Sequence, residues 1–304
     1  MPLSLQIFIV IFVIGAGLRS WVVLTKVHTE RVSTFVFSVS LPATILVSLD
    51  PVPLTSTAWK LPLAACFITL PMVVSSWFLA LLLQLPRKTK GGFLLATGSI
   101  NSVFFAFPVI LATLGDEGLT YAVLFDLGQT TLTLTVLYGL AVWHGAHSLT
   151  ATSATLRFLS SPPLWALACI LTLKLSSYHL PPRLVSLLTP LHLTTTPLAS
   201  LVLGLTISFS AIRRTAPLAT LGVVIRMGGG LILGWATVGW LGLTGTERAV
   251  VILVAAMPSA VSSVIFAAET GLDEELVASI VALSICLGIV MIPWLPDLVP
   301  LLTE

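Results

Sequence analysis

Charged residues are scarce in this chain of 304 residues. Only 9% of the residues are Asp, Glu, Lys or Arg, whereas 57% are hydrophobic; an ordinary soluble domain carries about 25% charged residues. A soluble fold of this size needs more polar surface than these side chains can supply, and a disordered chain is richer in polar and charged residues. The composition therefore predicts an all-α polytopic membrane protein.

Features that define several other classes of protein are also missing. Cys66, Cys169 and Cys286 form no CxxC pair, and an odd number of cysteines does not fit a disulfide framework. The net charge is +2 without a long basic run, so nucleic acid is not expected as a partner. The lack of HExxH and GxSxG motifs argues against an intramembrane enzyme. The apolar N-terminus has no basic n-region, so it is read as a spanning helix and not as a cleaved signal peptide.

Ten apolar segments can be read along the chain, and most approach the roughly 20 residues that cross a bilayer. The segments are 5–24, 32–49, 61–85, 92–113, 119–143, 163–179, 187–212, 217–241, 248–268 and 274–296. Most Lys and Arg lie in loops that follow odd-numbered segments, such as the pairs Arg87–Lys88 and Arg213–Arg214. The positive-inside rule then predicts that these loops are cytoplasmic and that both termini lie outside. We expect a multi-pass protein of the plasma membrane, which in a bacterium is the inner membrane.

The chain contains a weak internal repeat. Pro42 and Pro197 lie in segments two and seven, while Pro108 and Pro258 lie in segments four and nine, which both end at an acidic turn containing glycine. These matches predict a first five-helix repeat over residues 1–145, a connecting loop over 146–161 and a second repeat over 162–304. Because five is odd, the second repeat must be inserted upside down, and inverted repeats are typical of secondary transporters.

Segments four and nine each place small and polar residues beside a proline in mid-span. The two stretches are Gly98–Pro108 and Ala255–Ser263. Proline frees a backbone carbonyl, and Ser or Asn side chains can satisfy freed backbone groups where lipid cannot. Interrupted helices at matching positions in two halves indicate a substrate site, and half-helix N-termini favour an anion. The alternative is that these residues only kink two ordinary helices.

Several motifs, taken in order, resemble the auxin efflux carrier family of membrane transporters. They are Asn101 with Pro108, residues 114–119 (LGDEGL), 125–129 (FDLGQ), 194–199 (TTTPLA) and 256–261 (AMPSAV). The resemblance implies ten helices in two inverted five-helix repeats, with helices four and nine broken and crossing at the membrane centre. It also implies an elevator-like transport domain and organic anions such as auxin, malate and malonate as substrates. The bile acid–sodium symporters share this architecture.

The same resemblance assigns the crossover positions to Asn101 and Pro258. The substrate-binding residues expected around them are Asn101, Ser102, Pro258, Ser259, Ser262 and Ser263. Ser262 stands where bacterial members often have asparagine, and Ser102 stands where many members have glycine or threonine. Serine keeps a hydrogen-bonding group but has a shorter reach than asparagine, so the identity of the substrate is left open.

Ionisable groups inside membrane spans are costly and tend to be functional. Asp126 in segment five could carry a coupling proton, with Gln129 on the same helix face as a second coupling candidate. The alternative for Asp126 is a structural hydrogen bond near the membrane interface. Arg226 is expected to snorkel to the cytoplasmic interface, the alternative being that it counters an anionic substrate. His144 with His147 is read as a loop pair near the membrane surface and not as a metal site.

The predicted function is that of a secondary active, elevator-type carrier for a small organic anion such as a carboxylate. No enzyme activity and no cofactor are expected, apart from a proton or a sodium ion for coupling. The expected partners are the anion and the lipid bilayer, and a homodimer is left open. Two alternatives remain at this stage, namely a sodium-coupled symporter of the bile acid type and a non-transporting sensor or scaffold on the same fold.

Overall fold

The computed structural model describes residues 2–20, 26–53, 56–145, 160–206 and 209–303. Within these ranges the chain is almost entirely helical and contains no strand, which confirms the predicted all-α class. The α-helices are α1 (Leu3–Ser20), α2 (Lys26–Phe35), α3 (Leu41–Leu49), α4 (Lys60–Leu82), α5 (Arg87–Gly98), α6 (Phe107–Leu132), α7 (Tyr138–His144), α8 (Pro162–Leu175), α9 (Pro182–Thr206), α10 (Phe209–Val223), α11 (Gly230–Leu241), α12 (Gly245–Ala255), α13 (Ser262–Thr270), α14 (Glu274–Met291) and α15 (Leu295–Thr303).

Six helical stretches among the described residues are long and apolar enough to cross a membrane. They are His28–Leu49, Lys60–Leu82, Ser102–His144, Pro182–Thr206, Arg214–Leu241 and Glu274–Thr303. Large apolar side chains such as Val74 and Phe78 remain exposed on α4, as expected of a surface that faces lipid. The prediction of a multi-pass membrane protein is therefore confirmed. The number of ten spans and the inverted arrangement of two repeats stay predictions.

Both turns predicted from acidic, glycine-containing sequences are present. Gly115 has a φ of 64° and breaks the helix that runs through α6, which separates predicted segments four and five. Gly271 has a φ of 71° and ends α13. At this second turn the Asp273 carboxylate accepts the backbone N–H of Leu276 at 3.1 Å and caps α14. Left-handed backbone of this kind favours glycine because glycine has no Cβ.

Four π-helical segments interrupt the α-helices. They are Val36–Ser40, Ser102–Ala106, Thr133–Leu137 and Val224–Gly229. The first two end just before Leu41-Pro42 and Phe107-Pro108, and in each case the residue before the proline donates its N–H to the carbonyl five residues earlier. Proline has no N–H and cannot donate the ordinary helical hydrogen bond, and in both segments the wider turn lies directly before the proline. Segments of this kind are frequent at functional sites.

The helices pack into two groups. In the first group α9 packs along α1 and α3, and α8 packs against α3. Helices α1 and α9 approach closely at Gly204. A Cβ added to this residue would lie only 2.3 Å from the Phe12 carbonyl oxygen, so only glycine fits. In the second group α4 packs on α6 and α11, α14 packs on α10 and α5, and α12 packs on α11 and α6. The predicted connecting loop lies almost wholly outside the described residues, as does His147.

Candidate functional site

The two predicted interruptions are present, and the interrupted segments cross. Helix α5 ends at Gly98 and α12 ends at Ala255, and each is followed by non-helical backbone before the next helical turn. The Asn101 N–H donates a hydrogen bond to the Pro258 carbonyl at 2.9 Å, and Ile100 pairs with Ser259 in an isolated antiparallel bridge. Backbone groups that helix breaks leave free are thus satisfied by the opposite segment.

Ser259 and Pro258 hold this crossing together. The Ser259 hydroxyl donates to the Ala96 carbonyl at 2.6 Å, and its backbone N–H donates to the Ser284 hydroxyl at 3.0 Å. The Pro258 ring packs so closely on α14 that a Cβ on Gly288 would lie 2.7 Å from its Cγ atom. Neither residue lines the cavity described next, and neither does Ser263, which is fully buried.

A cavity of about 520 Å³ lies on one side of the crossing. Its walls come from the segments 33–38, 100–104, 126–134, 160–162 and 260–266, and among the predicted site residues it contains Asn101, Ser102, Ser262, Asp126 and Gln129. Three of the four π-helical segments contribute residues to these walls. The volume lies in the usual range for a small-molecule site.

Two polar groups at the cavity wall lack partners. The Asn101 Nδ2 atom and the Ser102 Oγ atom have no hydrogen-bond partner, although these residues are only 2% and 3% exposed. Nearly all buried polar groups in native proteins are hydrogen-bonded, so such exceptions require an explanation. Both residues line the cavity, so a small rotation of their side chains would bring these two groups to a polar ligand there.

The starts of two helical segments also border the cavity. The π segment that leads into α6 begins at Ser102, and α13 begins at Ser262. Neither start receives a hydrogen bond from a capping side chain. Helix starts carry free N–H groups and a partial positive charge of about +0.5. Some of these N–H groups are already bonded, such as that of Ser102 to the Ile100 carbonyl, so it is mainly the helix dipoles that favour an anion at this end of the cavity.

Asp126 is the one ionisable residue among the described residues that line the cavity. Its Oδ2 atom accepts a hydrogen bond from the Thr130 hydroxyl at 3.0 Å. The Ser102 hydroxyl is placed as a second potential donor to the same carboxylate, and no charged side chain of the described residues compensates it. Asp126 thus lies at the cavity wall, beside the helix start at Ser102.

Gln129 has a well-defined structural role beside the cavity. Its amide nitrogen donates to the Gly98 carbonyl and to the Thr133 hydroxyl, both at 3.3 Å, and its amide oxygen accepts the Thr69 hydroxyl. Gly98 is the last residue of α5 before the break. Gln129 therefore fixes one end of the interruption to α6 and α4.

The prediction that Arg226 snorkels to the membrane interface is wrong. Arg226 is fully buried, and its guanidinium donates to the Thr97 carbonyl at 3.2 Å and to the Ala255 carbonyl. These carbonyls belong to the C-terminal ends of α5 and α12, which the sequence alone did not bring together. Gly230 permits the approach, because a Cβ there would lie 2.0 Å from the Ala255 oxygen. In the sequence, the Gly228–Gly230 run is the feature that indicates such a close helix approach beside Arg226.

His144 is the last residue of α7 and is buried, so it is not the surface loop residue that the sequence predicted. Its Nδ1 atom lies 2.9 Å from the Leu140 carbonyl, and its ring packs on Trp143 at the end of α7. Among the described residues no group of three or more His, Cys, Asp and Glu is arranged to hold a metal ion.

A helical membrane protein with crossing interrupted helices and a polar cavity at the crossing has the architecture of a transporter. Residues 3–296 match the family described as Membrane transport protein, so the chain belongs to this family, the auxin efflux carrier family. It is 29% identical to an uncharacterized transporter of Methanothermobacter thermautotrophicus over 94% of both chains. It is 23% identical to an uncharacterized transporter of Methanocaldococcus jannaschii over 96% of both chains. The protein is therefore a membrane transporter and not an enzyme.

Proposed function

We propose that the protein is a secondary active carrier that moves a small organic anion, such as a carboxylate, across the plasma membrane. The observation that carries this proposal is the buried Asn101 Nδ2 donor without a partner, next to the Ser102 hydroxyl and an uncapped helix start. A carboxylate placed there would accept hydrogen bonds from both side chains, and the dipole of the helix start would attract its charge.

The cavity supports a small anion held mainly by neutral donors. Among the described lining residues there is no Lys, Arg or His. The electrostatic attraction would come from helix starts, as in the half-helix sites of other secondary carriers. Ser262 at the start of α13 supplies a further hydroxyl at the cavity wall. Pro258 and Ser259 would support the site by holding the crossing, without contacting the anion, and Ser263 would lie behind it.

The cavity position also supports an elevator-type cycle. One wall comes from α2 and the start of α8, and the opposite wall comes from the crossing segments and from α6. A substrate bound at the crossing would move with the second group of helices against the first. We propose ten spans in two inverted repeats, residues 1–145 and 162–304, for this arrangement.

The charge pattern suggests which way the cavity faces. The cavity extends from the crossing toward the beginning of α2, the beginning of α8 and the end of α13. By the positive-inside rule these helix ends lie on the cytoplasmic side, with both termini outside. The conformation would then be open to the cytoplasm.

Asp126 is our candidate for the coupling residue. An ionised carboxylate that interacts with the Ser102 hydroxyl would repel an anion bound at the same hydroxyl. Protonation of Asp126 would remove this repulsion, so anion and proton would bind together. Gln129 would act indirectly, by fixing α6 to the broken end of α5.

The experiment is uptake of radiolabelled malonate and malate into proteoliposomes that contain purified wild type or Asn101→Ala. Thr131→Ala is the matched control, because Thr131 is exposed and its hydroxyl contacts only the Leu127 carbonyl of its own helix. We expect flux in wild type and control and little flux in Asn101→Ala. Equal flux in all three proteins would refute the site, and anion binding without flux would favour a sensor.

A further inference from the structure

The two broken helices end at the same buried guanidinium. Arg226 Nη1 donates to the carbonyl of Thr97, in the last turn of α5, and Nη2 donates to the carbonyl of Ala255, the last residue of α12. Arg226 is 0% exposed. The contact therefore lies inside the protein, on the side of the crossing that holds the helix ends, whereas the cavity borders the helix starts.

The charges at this contact balance. A helix end carries a partial charge of about −0.5, so the ends of α5 and α12 together present about −1. The guanidinium supplies one positive charge. No carboxylate among the described residues pairs with Arg226, and a buried charge without compensation is strongly unfavourable. The two helix ends provide the compensation that an acidic side chain would otherwise have to provide.

The local backbone is built to bring Arg226 to this point. Arg226 lies in the π segment Val224–Gly229, whose wider turn rotates the side chain relative to an α-helical register. Gly230 and Gly234 follow, and a Cβ on either would come within 3 Å of Ala255 atoms. The helix α11 therefore approaches the end of α12 closely enough for the guanidinium to reach both carbonyls.

In secondary carriers with interrupted helices, half-helix C-terminal ends and unwound carbonyls coordinate the coupling cation. In this chain a side chain already supplies a cation to both ends. We propose that Arg226 is a tethered cation that takes the place of a coupling sodium ion at the crossing, so that the crossing is complete and transport proceeds without sodium. This inference rests on the proposed carrier function, since it assigns the ion requirement of that site.

A thermal unfolding experiment tests the proposal without knowledge of the substrate. Purified protein in detergent is melted in NaCl, KCl and choline chloride at equal ionic strength. The wild type is expected to have the same Tm in all three salts, because its cation position is filled. A higher Tm in NaCl than in both other salts would overturn the proposal.

Variants at position 226 provide the matched test. Arg226→Lys keeps the charge and is expected to retain most of the stability, whereas Arg226→Met removes the charge and two charged hydrogen bonds and is expected to lower Tm by roughly 5–15 °C. Arg226→Ala leaves space between the carbonyls, so its Tm is expected to rise when sodium or guanidinium replaces choline. A Met variant as stable as the Lys variant, or an Ala variant insensitive to every added cation, would overturn the proposal.

Flux measurements add a readout that a purely structural arginine would not move. In proteoliposomes loaded with malonate or malate, wild-type exchange is expected to be equal in sodium and potassium media. In Arg226→Ala the residual exchange is expected to be higher in sodium than in potassium. If no carboxylate is transported at all, the carrier proposal fails, but the dependence of Tm on the salt still decides the role of Arg226. If Arg226→Ala does not fold, the wild-type and Lys proteins carry the test.

Discussion

The backbone N–H of Asn101 donates to the Pro258 carbonyl at 2.9 Å, while the Asn101 side-chain nitrogen has no partner. The backbone and the side chain of Asn101 therefore have separate roles. Its backbone joins the crossing segments, and its side chain faces the cavity. A substitution that alters only the side chain should affect ligand binding much more than folding.

Asn101→Ala is predicted to reduce anion transport without lowering stability. The lost amide makes no hydrogen bond through Nδ2 within the protein, so the unfolding free energy should change by less than about 1 kcal/mol. A hydrogen bond to a charged ligand is worth about 1.5–3 kcal/mol, so the affinity should fall about 10- to 100-fold. Malonate and malate uptake at several concentrations, together with Tm, measures both effects. A large fall in Tm would contradict the separation of roles.

Gln129→Leu, unlike Asn101→Ala, is predicted to lower the stability of the protein. Its three hydrogen bonds to Thr69, Gly98 and Thr133 are lost, and the buried Thr69 hydroxyl and Gly98 carbonyl lose a partner. We expect a loss of about 2–4 kcal/mol in unfolding free energy, visible as a lower Tm in detergent. Thr131→Ala on the same helix serves as the control and should melt like wild type. An unchanged Tm in Gln129→Leu would show that these bonds contribute little.

The positions of the helix breaks could be predicted because their signals are local. The second break lies at Pro258, whereas the first lies at residues 99–101, within the cluster of small and polar residues and seven residues before Pro108. Gly115 and Gly271 likewise mark turns that require left-handed backbone. Each of these features depends on a few consecutive residues and needs no knowledge of the rest of the fold.

Which side chains face the cavity could not be predicted as well. Ser262 lines the cavity and Ser263 is buried away from it, although the two are neighbours. Adjacent helical residues point about 100° apart, so their roles depend on where the helix restarts after Pro258. Arg226 was misjudged for a related reason, since its partners, Thr97 and Ala255, are far away in sequence.

Gly15→Ala is predicted to destabilise the contact between α1 and α9. The added Cβ would lie 2.7 Å from the Leu201 carbonyl oxygen and 3.2 Å from the Gly204 Cα. Because both neighbours are backbone atoms, the helices must move apart, which costs about 1–3 kcal/mol. Gly17→Ala, two residues further along α1, has open space around the added Cβ and is expected to be neutral or stabilising. Tm values of the two variants provide the comparison, and equal values would refute the close packing.

Asp126→Asn is predicted to remove the pH dependence of anion uptake. If Asp126 carries the coupling proton as proposed, its carboxyl is protonated when an anion occupies the Ser102 end of the cavity, so uptake should rise as the pH falls. The amide is neutral at every pH and keeps an oxygen that can accept the Thr130 hydroxyl, so the variant should fold and bind the anion equally well over the range.

The measurement is the initial rate of malonate and malate uptake in proteoliposomes at a series of external pH values. Glu117→Gln is the matched control, because Glu117 lies at the exposed turn after Gly115, outside the cavity lining. Its uptake should follow the wild-type pH profile. If Asp126→Asn retains the same profile as wild type, the coupling proton is carried elsewhere, and the Thr130 hydrogen bond is the function of Asp126.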